Sequence, residues 1–98
     1  MRAMQKLELE KKTRMRMVNS DELLRMDIIT DSLEKLAMKY EDLYFLVDNE
    51  GVKGIAIPTY RQQLIETFKR RKPIKRRDIR IIEIIENGLR QECILIML

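Results

Sequence analysis

The stretch LYFLVDNEGVKGIAIP, residues 43–58, decides the predicted fold because it has the pattern of a β-hairpin. Two runs of aliphatic and aromatic residues flank a four-residue turn that ends at Gly51, and Pro58 ends the second run. Gly54 inside the second run indicates a bulge or a close approach of a neighbouring backbone. We therefore expect a short antiparallel sheet built around this hairpin, at about residues 43–57.

Helical patterns follow the hairpin. Thr59 and Gln62 form a capping-box pair at the start of a short helix. In RIIEIIENG, residues 80–88, the apolar side chains recur with a period near three, so a helix is favoured over a strand despite the isoleucines, and Gly88 has the place of a helix stop. The segment ECILIML, residues 92–98, fits either a final strand or a continuation of that helix. The sequence thus predicts an α+β fold in which helices pack on the sheet and the carboxy-terminal third is helical.

The chain before the hairpin combines a strand pattern with a helix pattern. Residues 13–18 alternate apolar and polar side chains, which favours a strand, although the same residues are good helix formers. Asn19 or Ser20 can cap a following helix, whose apolar residues recur at helical spacing up to Tyr40. Thr30 offers a second cap, so this region is either one helix or two short helices separated by a break.

Positive charge is concentrated in KRRKPIKRR, residues 69–77, which holds seven basic residues and no acidic one in a chain of net charge +4. Cations packed this closely repel one another unless an anion or solvent compensates them. The cluster favours phosphate contact on a nucleic acid, DNA rather than RNA, and the alternatives are a nuclear-import signal and a solvated loop between helices. The predicted nucleic-acid-binding residues are Lys69, Arg70, Arg71, Lys72, Lys75, Arg76 and Arg77, assisted by Arg14 and Arg16.

Residue types that most enzymes need are missing from the chain. It has no histidine, which removes the usual general base near neutral pH and the commonest transition-metal ligand. We therefore predict a protein that is not an enzyme and that uses no metal and no cofactor. Its single cysteine, Cys93, cannot form an intrachain disulfide, and no signal peptide or membrane-spanning apolar run is evident. These features indicate the cytoplasm, or the nucleus if the source is eukaryotic or viral.

The stretch from about Met15 to Lys69 resembles prevent-host-death-type antitoxins. The resemblance lies in a strand running into VNSDEL (18–23), two short helices, the hairpin with its turn glycine Gly51, and GIAIPTYRQQLIET (54–67). The last piece is similar to the family's apolar strand followed by a helix. The resemblance implies a homodimer whose amino-terminal half binds operator DNA and whose carboxy-terminal tail wraps a toxin. The basic cluster occupies the position at which the family's carboxy-terminal tail begins, and such tails are usually less basic.

Chain length and apolar content indicate a single small domain over residues 1–98, with a basic amino-terminal arm at about residues 1–13. A chain this short has a modest core, and its apolar carboxy-terminal run needs cover, so we expect a homodimer. The predicted function is a small, basic, dimeric nucleic-acid-binding regulator of antitoxin-like type that contacts the phosphate backbone through residues 69–77. The alternative is a non-enzymatic adaptor or assembly subunit that docks on a protein partner through Ile81, Ile85, Leu89, Ile94, Ile96 and Leu98.

Overall fold

The computed structural model describes residues 15–26, 30–71 and 78–98. These residues form five strands and three helices. In chain order the elements are β1 (Arg16–Asn19), α1 (Ser20–Leu24), α2 (Asp31–Lys39), β2 (Tyr44–Asp48), β3 (Gly51–Pro58), α3 (Gln62–Arg71), β4 (Ile79–Glu86) and β5 (Leu89–Met97). The predicted amino-terminal arm at residues 1–13 lies outside the described residues.

The five strands form one antiparallel sheet in the order β1–β2–β3–β5–β4. β2 and β3 make the hairpin over residues 44–58, and β4 and β5 make a second, longer hairpin. α3 lies between the two hairpins in the chain, and β5 pairs with β3, where Ile96 lies opposite Ile55. Within the described residues, β1 and β4 are therefore the two edge strands of the sheet.

The prediction of an α+β fold with a helical carboxy-terminal third is wrong, because residues 79–97 form the strands β4 and β5 of a sheet-dominated fold. The period near three was misleading because β4 carries isoleucines on both of its faces. Ile81 lies opposite Ile94 on one face, and Ile82 lies opposite Cys93 on the other. Isoleucine also favours extended backbone, since its branched side chain packs well on a pleated surface.

The turn between β4 and β5 is formed by Asn87 and Gly88, which both have positive φ angles, of 53° and 78°. A two-residue Asn-Gly turn with this geometry matches the twist of the strands that it joins. Gly88 therefore closes a hairpin and does not stop a helix. The segment at residues 92–98, for which strand and helix were both open, belongs to β5 up to Met97.

The main core lies between the sheet and the helices. Phe45 and Ile55 from the sheet are buried against Leu23 of α1, Ala37 of α2 and Ile65 of α3. Each of these side chains is at most 1% exposed. The three helices therefore cover one face of the sheet, and the surfaces of α2 and α3 that point away from this core are free to carry polar residues.

The opposite face of the sheet is buried because the sheet curls. Ala56 and Cys93 are fully buried on this face, in a cluster to which no described residue of the helices belongs. The Tyr44 hydroxyl of β2 donates a hydrogen bond to Glu86 Oε1 of β4 at 3.4 Å, although β3 and β5 lie between these strands. In a flat sheet these strands would be about 14 Å apart, so the contact requires a curved sheet.

Side-chain caps fix the start of each amino-terminal helix. Asn19 accepts a hydrogen bond from the Glu22 backbone N–H at 2.8 Å and begins α1, while Thr30 caps α2. The region for which one helix or two were predicted thus contains two. The buried Ser20 hydroxyl donates to the Tyr40 carbonyl oxygen at 2.8 Å, which ties the end of α2 to the start of α1.

Candidate nucleic-acid interface

A groove of about 510 Å³ lies between α2 and α3. Its floor is apolar, because Leu36, Leu64 and Phe68 line it while packing against the main core. Its polar wall holds three cations and, among the described residues, no acidic side chain. The wall is formed by Ser32, Lys35, Lys39, Gln63, Thr67 and Arg71.

Helical spacing places these cations on the facing sides of the two helices. Lys35 and Lys39 are four residues apart on α2, and Arg71 is four residues beyond Thr67 on α3. Residues at this spacing lie on the same side of a helix, one above the other. Leu36 packs against the core beside Lys35, so burial of the apolar stripe of α2 directs its lysines towards the groove.

The groove cations form no ion pair within the part of the chain that the structure describes. Within the described residues, no carboxylate lies at ion-pairing distance from Lys35, Lys39 or Arg71, whereas Lys69 Nζ lies 3.9 Å from Glu66 Oε1. Lys39 Nζ lies 5.4 Å from the centre of the Tyr40 ring, which is a cation–π contact and leaves the positive charge in place. Three positive charges around one groove produce a local positive potential that attracts anions.

The basic cluster predicted at residues 69–77 begins on the last turn of α3. Lys69, Arg70 and Arg71 are exposed there, and Arg71 also forms part of the groove wall. Arg16 lies on β1 with its Nη1 atom 3.8 Å from Glu22 Oε2, and it does not line the groove. The predicted residues outside the described ranges are Arg14, Lys72, Lys75, Arg76 and Arg77.

Lys35 and Lys39 were missed by the sequence analysis as candidate site residues. They stand on the polar side of an amphipathic helix, where charged residues are usual and carry no functional signal alone. The only signal in the sequence was their spacing of four residues. The fold places α2 and α3 on two sides of one groove, which brings both lysines to the same groove as Arg71, and no local sequence pattern reports that placement.

The side chains predicted to bind a protein partner fall into two groups. Ile96 is 1% exposed in the main core, and Ile94 packs against that core, so both stabilise the monomer. The other four are exposed to solvent. Their exposed fractions are 72% for Ile81, 64% for Ile85, 75% for Leu89 and 50% for Leu98.

A polar cluster around Asp42 joins the ends of the two groove helices. The Asp42 carboxylate accepts hydrogen bonds from Arg61 Nε at 2.8 Å and from the Tyr60 hydroxyl. The Arg61 guanidinium lies 4.9 Å from the centre of the Tyr40 ring, and Tyr40 lines the groove. Because Asp42 follows α2 and Arg61 precedes α3, the cluster sets the relative position of the two helices.

These contacts lower the pKa of Asp42 below its ordinary value. Burial raises the pKa, but hydrogen bonds from Arg61 and Tyr60 favour the ionised carboxylate and outweigh burial. The ionised form of Asp42 is therefore the form that holds the two helix ends together.

We expect Asp42→Asn to lower the free energy of unfolding by about 1 kcal/mol at pH 7, a small effect because solvent screens this partly exposed pair. A lowered folded-state pKa gives stability that is present above the unfolded value of 3.8 and is lost as the pH falls through the folded-state pKa. The difference from the unchanged protein should therefore be smaller at an acidic pH, below the unfolded value of 3.8, than at pH 7. Urea denaturation at both pH values measures this difference in unfolding free energy. The variant Glu41→Gln, at an exposed neighbouring position, is the control. An equal difference at both pH values contradicts the prediction.

Cys93 is the one thiol of the chain and is shielded from solvent. Burial raises the pKa of this thiol to about 11, so it stays protonated near neutral pH and is a poor nucleophile. The described residues contain no group of three or more metal-ligating side chains placed to hold an ion. In the same ranges, no helix has the length and apolar character needed to cross a membrane.

Comparisons of the chain with protein-family models, with curated proteins and with solved structures found no match. The resemblance to prevent-host-death-type antitoxins therefore stays a prediction. The geometry and charge of the groove between α2 and α3 are the features of the fold that bear most directly on function.

Proposed function

We propose that the protein binds the phosphate backbone of a nucleic acid through the groove between α2 and α3 and the basic end of α3. The observation that carries the proposal is the presence of Lys35, Lys39 and Arg71 around one groove with no acidic side chain among its described lining residues. Lys69 and Arg70 extend the same positive surface along the last turn of α3.

A phosphate backbone suits this surface for electrostatic reasons. Each cation that meets a phosphate releases a condensed counterion from the nucleic acid, and this release supplies affinity. Four further basic residues follow Arg71 within the next six positions of the sequence, so the positive charge of the chain continues from the groove. Such contacts position a nucleic acid without reading its sequence, because they involve no base edge.

The full proposal is a non-enzymatic, dimeric regulator that acts on DNA. The resemblance to antitoxins supports regulation, and it supports DNA over RNA, since operator DNA is what that family binds. A reducing compartment, the cytoplasm or the nucleus, fits the single free Cys93.

The salt dependence of binding tests the proposal. We expect the chain to bind duplex DNA of arbitrary sequence with a slope of log K against log salt of about −4 to −5, because five described cations meet phosphates. Those cations are Lys35, Lys39, Lys69, Arg70 and Arg71. Fluorescence anisotropy over a series of salt concentrations gives the slope, with duplex RNA measured in parallel. Absence of binding at low salt, or a slope shallower than about −1, contradicts the proposal.

The exposed isoleucines of β4 favour a second candidate function, an adaptor that docks on a protein partner. Ile81 and Ile85 are 72% and 64% exposed on one edge strand, where contact with another protein would bury them. Association driven by apolar surface responds weakly to salt, whereas phosphate binding weakens steeply. A protein complex that persists unchanged at high salt, in a chain that does not bind DNA, would support the adaptor function.

A further inference from the structure

The outer edge of β4 is open in the described part of the chain, where β4 pairs only with β5. An exposed strand of eight residues presents unpaired backbone N–H and C=O groups to which another strand can add. Ile81 and Ile85, at 72% and 64% exposure, place apolar surface along the same strand. The edge thus has both the backbone groups and the apolar side chains that an added strand needs.

We propose that a second copy of the chain occupies this edge, with the two β4 strands antiparallel around a two-fold axis at Glu83. The pairing joins the two five-stranded sheets into one continuous sheet across the dimer. It specifies the interface of the proposed dimer and does not depend on phosphate binding, because the groove lies between α2 and α3 on the helical layer.

The residue pattern of β4 is self-complementary in this register. Residues opposite each other in an antiparallel pair share one face of the sheet and contact each other. With the axis at Glu83, Arg80 lies opposite Glu86 of the second copy, and Ile81 lies opposite Ile85 of the second copy. Ile82 likewise lies opposite Ile84 of the second copy, and the two-fold symmetry makes each pair twice, so the dimer gains two pairs of opposite charge and four apolar pairs.

At the axis, Glu83 faces Glu83 of the second copy, which is a repulsive pair unless cations compensate it. Arg90 of β5 supplies that compensation, because its Nε atom lies 3.8 Å from Glu83 Oε1 within each chain. Arg90 pairs with Ile85 across the β4–β5 hairpin and so lies on the same face as Glu83. Each carboxylate at the axis therefore brings its own cation.

Neighbouring registers lose this complementarity. With the axis at Ile82, the pairing sets Glu83 against Ile81. With the axis at Ile84, it sets Glu83 against Ile85. Both arrangements leave a charged side chain opposite an apolar one, whereas the axis at Glu83 sets apolar residues against apolar residues and Arg against Glu. The charge pattern of β4 thus selects a second β4 strand, in one register, as the occupant of its edge.

A disulfide at the two-fold axis tests the register. Residue 83 faces its own counterpart across antiparallel strands, at a Cα–Cα distance of about 4.5–5.5 Å, which is within the range that a disulfide spans. We expect Glu83→Cys to form a covalent dimer under mild oxidation, as seen by non-reducing electrophoresis and light scattering. The native Cys93 is buried and does not compete.

Two further cysteine variants control this experiment. Glu92→Cys lies opposite Glu83 on β5, one strand in from the edge, and should cross-link at least about tenfold more slowly because its two copies are too far apart. Ile82→Cys reports the neighbouring register and should also be slow. Equal rates for Glu83→Cys and Glu92→Cys, faster cross-linking of Ile82→Cys, or a chain that stays monomeric at high micromolar concentration would overturn the proposal.

A charge exchange tests the same pairing without cysteine. We expect Arg80→Glu alone and Glu86→Arg alone each to raise the dimer dissociation constant roughly 10- to 100-fold, because two attractive pairs become repulsive. The double variant restores opposite charges across the axis and should return to within about threefold of the unchanged protein. Sedimentation measures the constants, and circular dichroism checks that each variant is folded. Additive losses in the double variant would show that the two residues do not face each other.

Discussion

The variant Lys35→Gln/Lys39→Gln should bind duplex DNA about 30-fold more weakly than the unchanged protein at about 0.15 M salt. Each lysine that no longer meets a phosphate removes about 0.9 from the slope of log K against log salt, so the slope should become shallower by about 1.8. Similar losses are expected on unrelated DNA sequences, because backbone contacts carry no sequence information. Fluorescence anisotropy with two duplexes of different sequence measures both quantities.

The matched control is Lys53→Gln/Arg25→Gln, which removes the same charge from positions outside the groove lining. Lys53 Nζ already lies 3.2 Å from Glu50 Oε2, and Arg25 is exposed at the end of α1. We expect the control to change the slope by less than about 0.5, since these cations meet no phosphate. Equal losses of DNA affinity in both variants would show that only net charge matters. Unchanged affinity in the groove variant would show that DNA does not bind in this groove.

The parts of the fold that the sequence predicts well depend on neighbours in the chain. The turn that ends at Gly51 and the stop at Pro58 are local signals, and β2 and β3 form a hairpin between them. Thr30 caps α2 at the break that its position suggested. Gly54 approaches its neighbour closely, because a Cβ atom there would lie 3.2 Å from the Ile96 carbonyl oxygen.

The carboxy-terminal third was misread because its pattern depends on a distant partner. β4 carries isoleucines on both faces, and curling of the sheet half-buries Ile82 and Ile84 on one face while Ile81 and Ile85 stay exposed on the other. The Asn87–Gly88 dipeptide is a strong hairpin signal, but with the period near three Gly88 was interpreted only as a helix stop. Local periodicity cannot separate a strand that is apolar on both faces from a helix.

The candidate site also has one part that the sequence predicts and one part that it does not. Composition alone finds the cluster that begins at Lys69, because seven cations in nine residues need no structure to be seen. The sequence does not single out Lys35 and Lys39, because they look like any solvated helix surface until the fold places α3 across the groove from them. Arg71 is the residue that links the two, because it belongs to the cluster in sequence and to the groove in space.

Ile96→Ala should lower the free energy of unfolding by about 2–4 kcal/mol, whereas Ile81→Ala should lower it by less than about 0.5 kcal/mol. The substitution is the same, and burial decides the difference. Ile96 is 1% exposed in the core beneath the helices, so removal of its side chain leaves a cavity. Ile81 is 72% exposed at the sheet edge, and water already occupies the space around it.

Urea denaturation followed by circular dichroism measures both values, at about 1 µM protein so that pairing of β4 edges adds little to stability. At higher concentration the cost of Ile81→Ala should grow, because the unchanged isoleucine then packs against Ile85 of a second copy. If the carboxy-terminal third were helical, Ile81 would lie on its buried face. The two substitutions would then lower the free energy of unfolding by similar amounts at low protein concentration. If Ile96 lies in a core strand and Ile81 in a self-pairing edge strand, the two losses of unfolding free energy should differ at low protein concentration. They should then approach each other as the concentration rises.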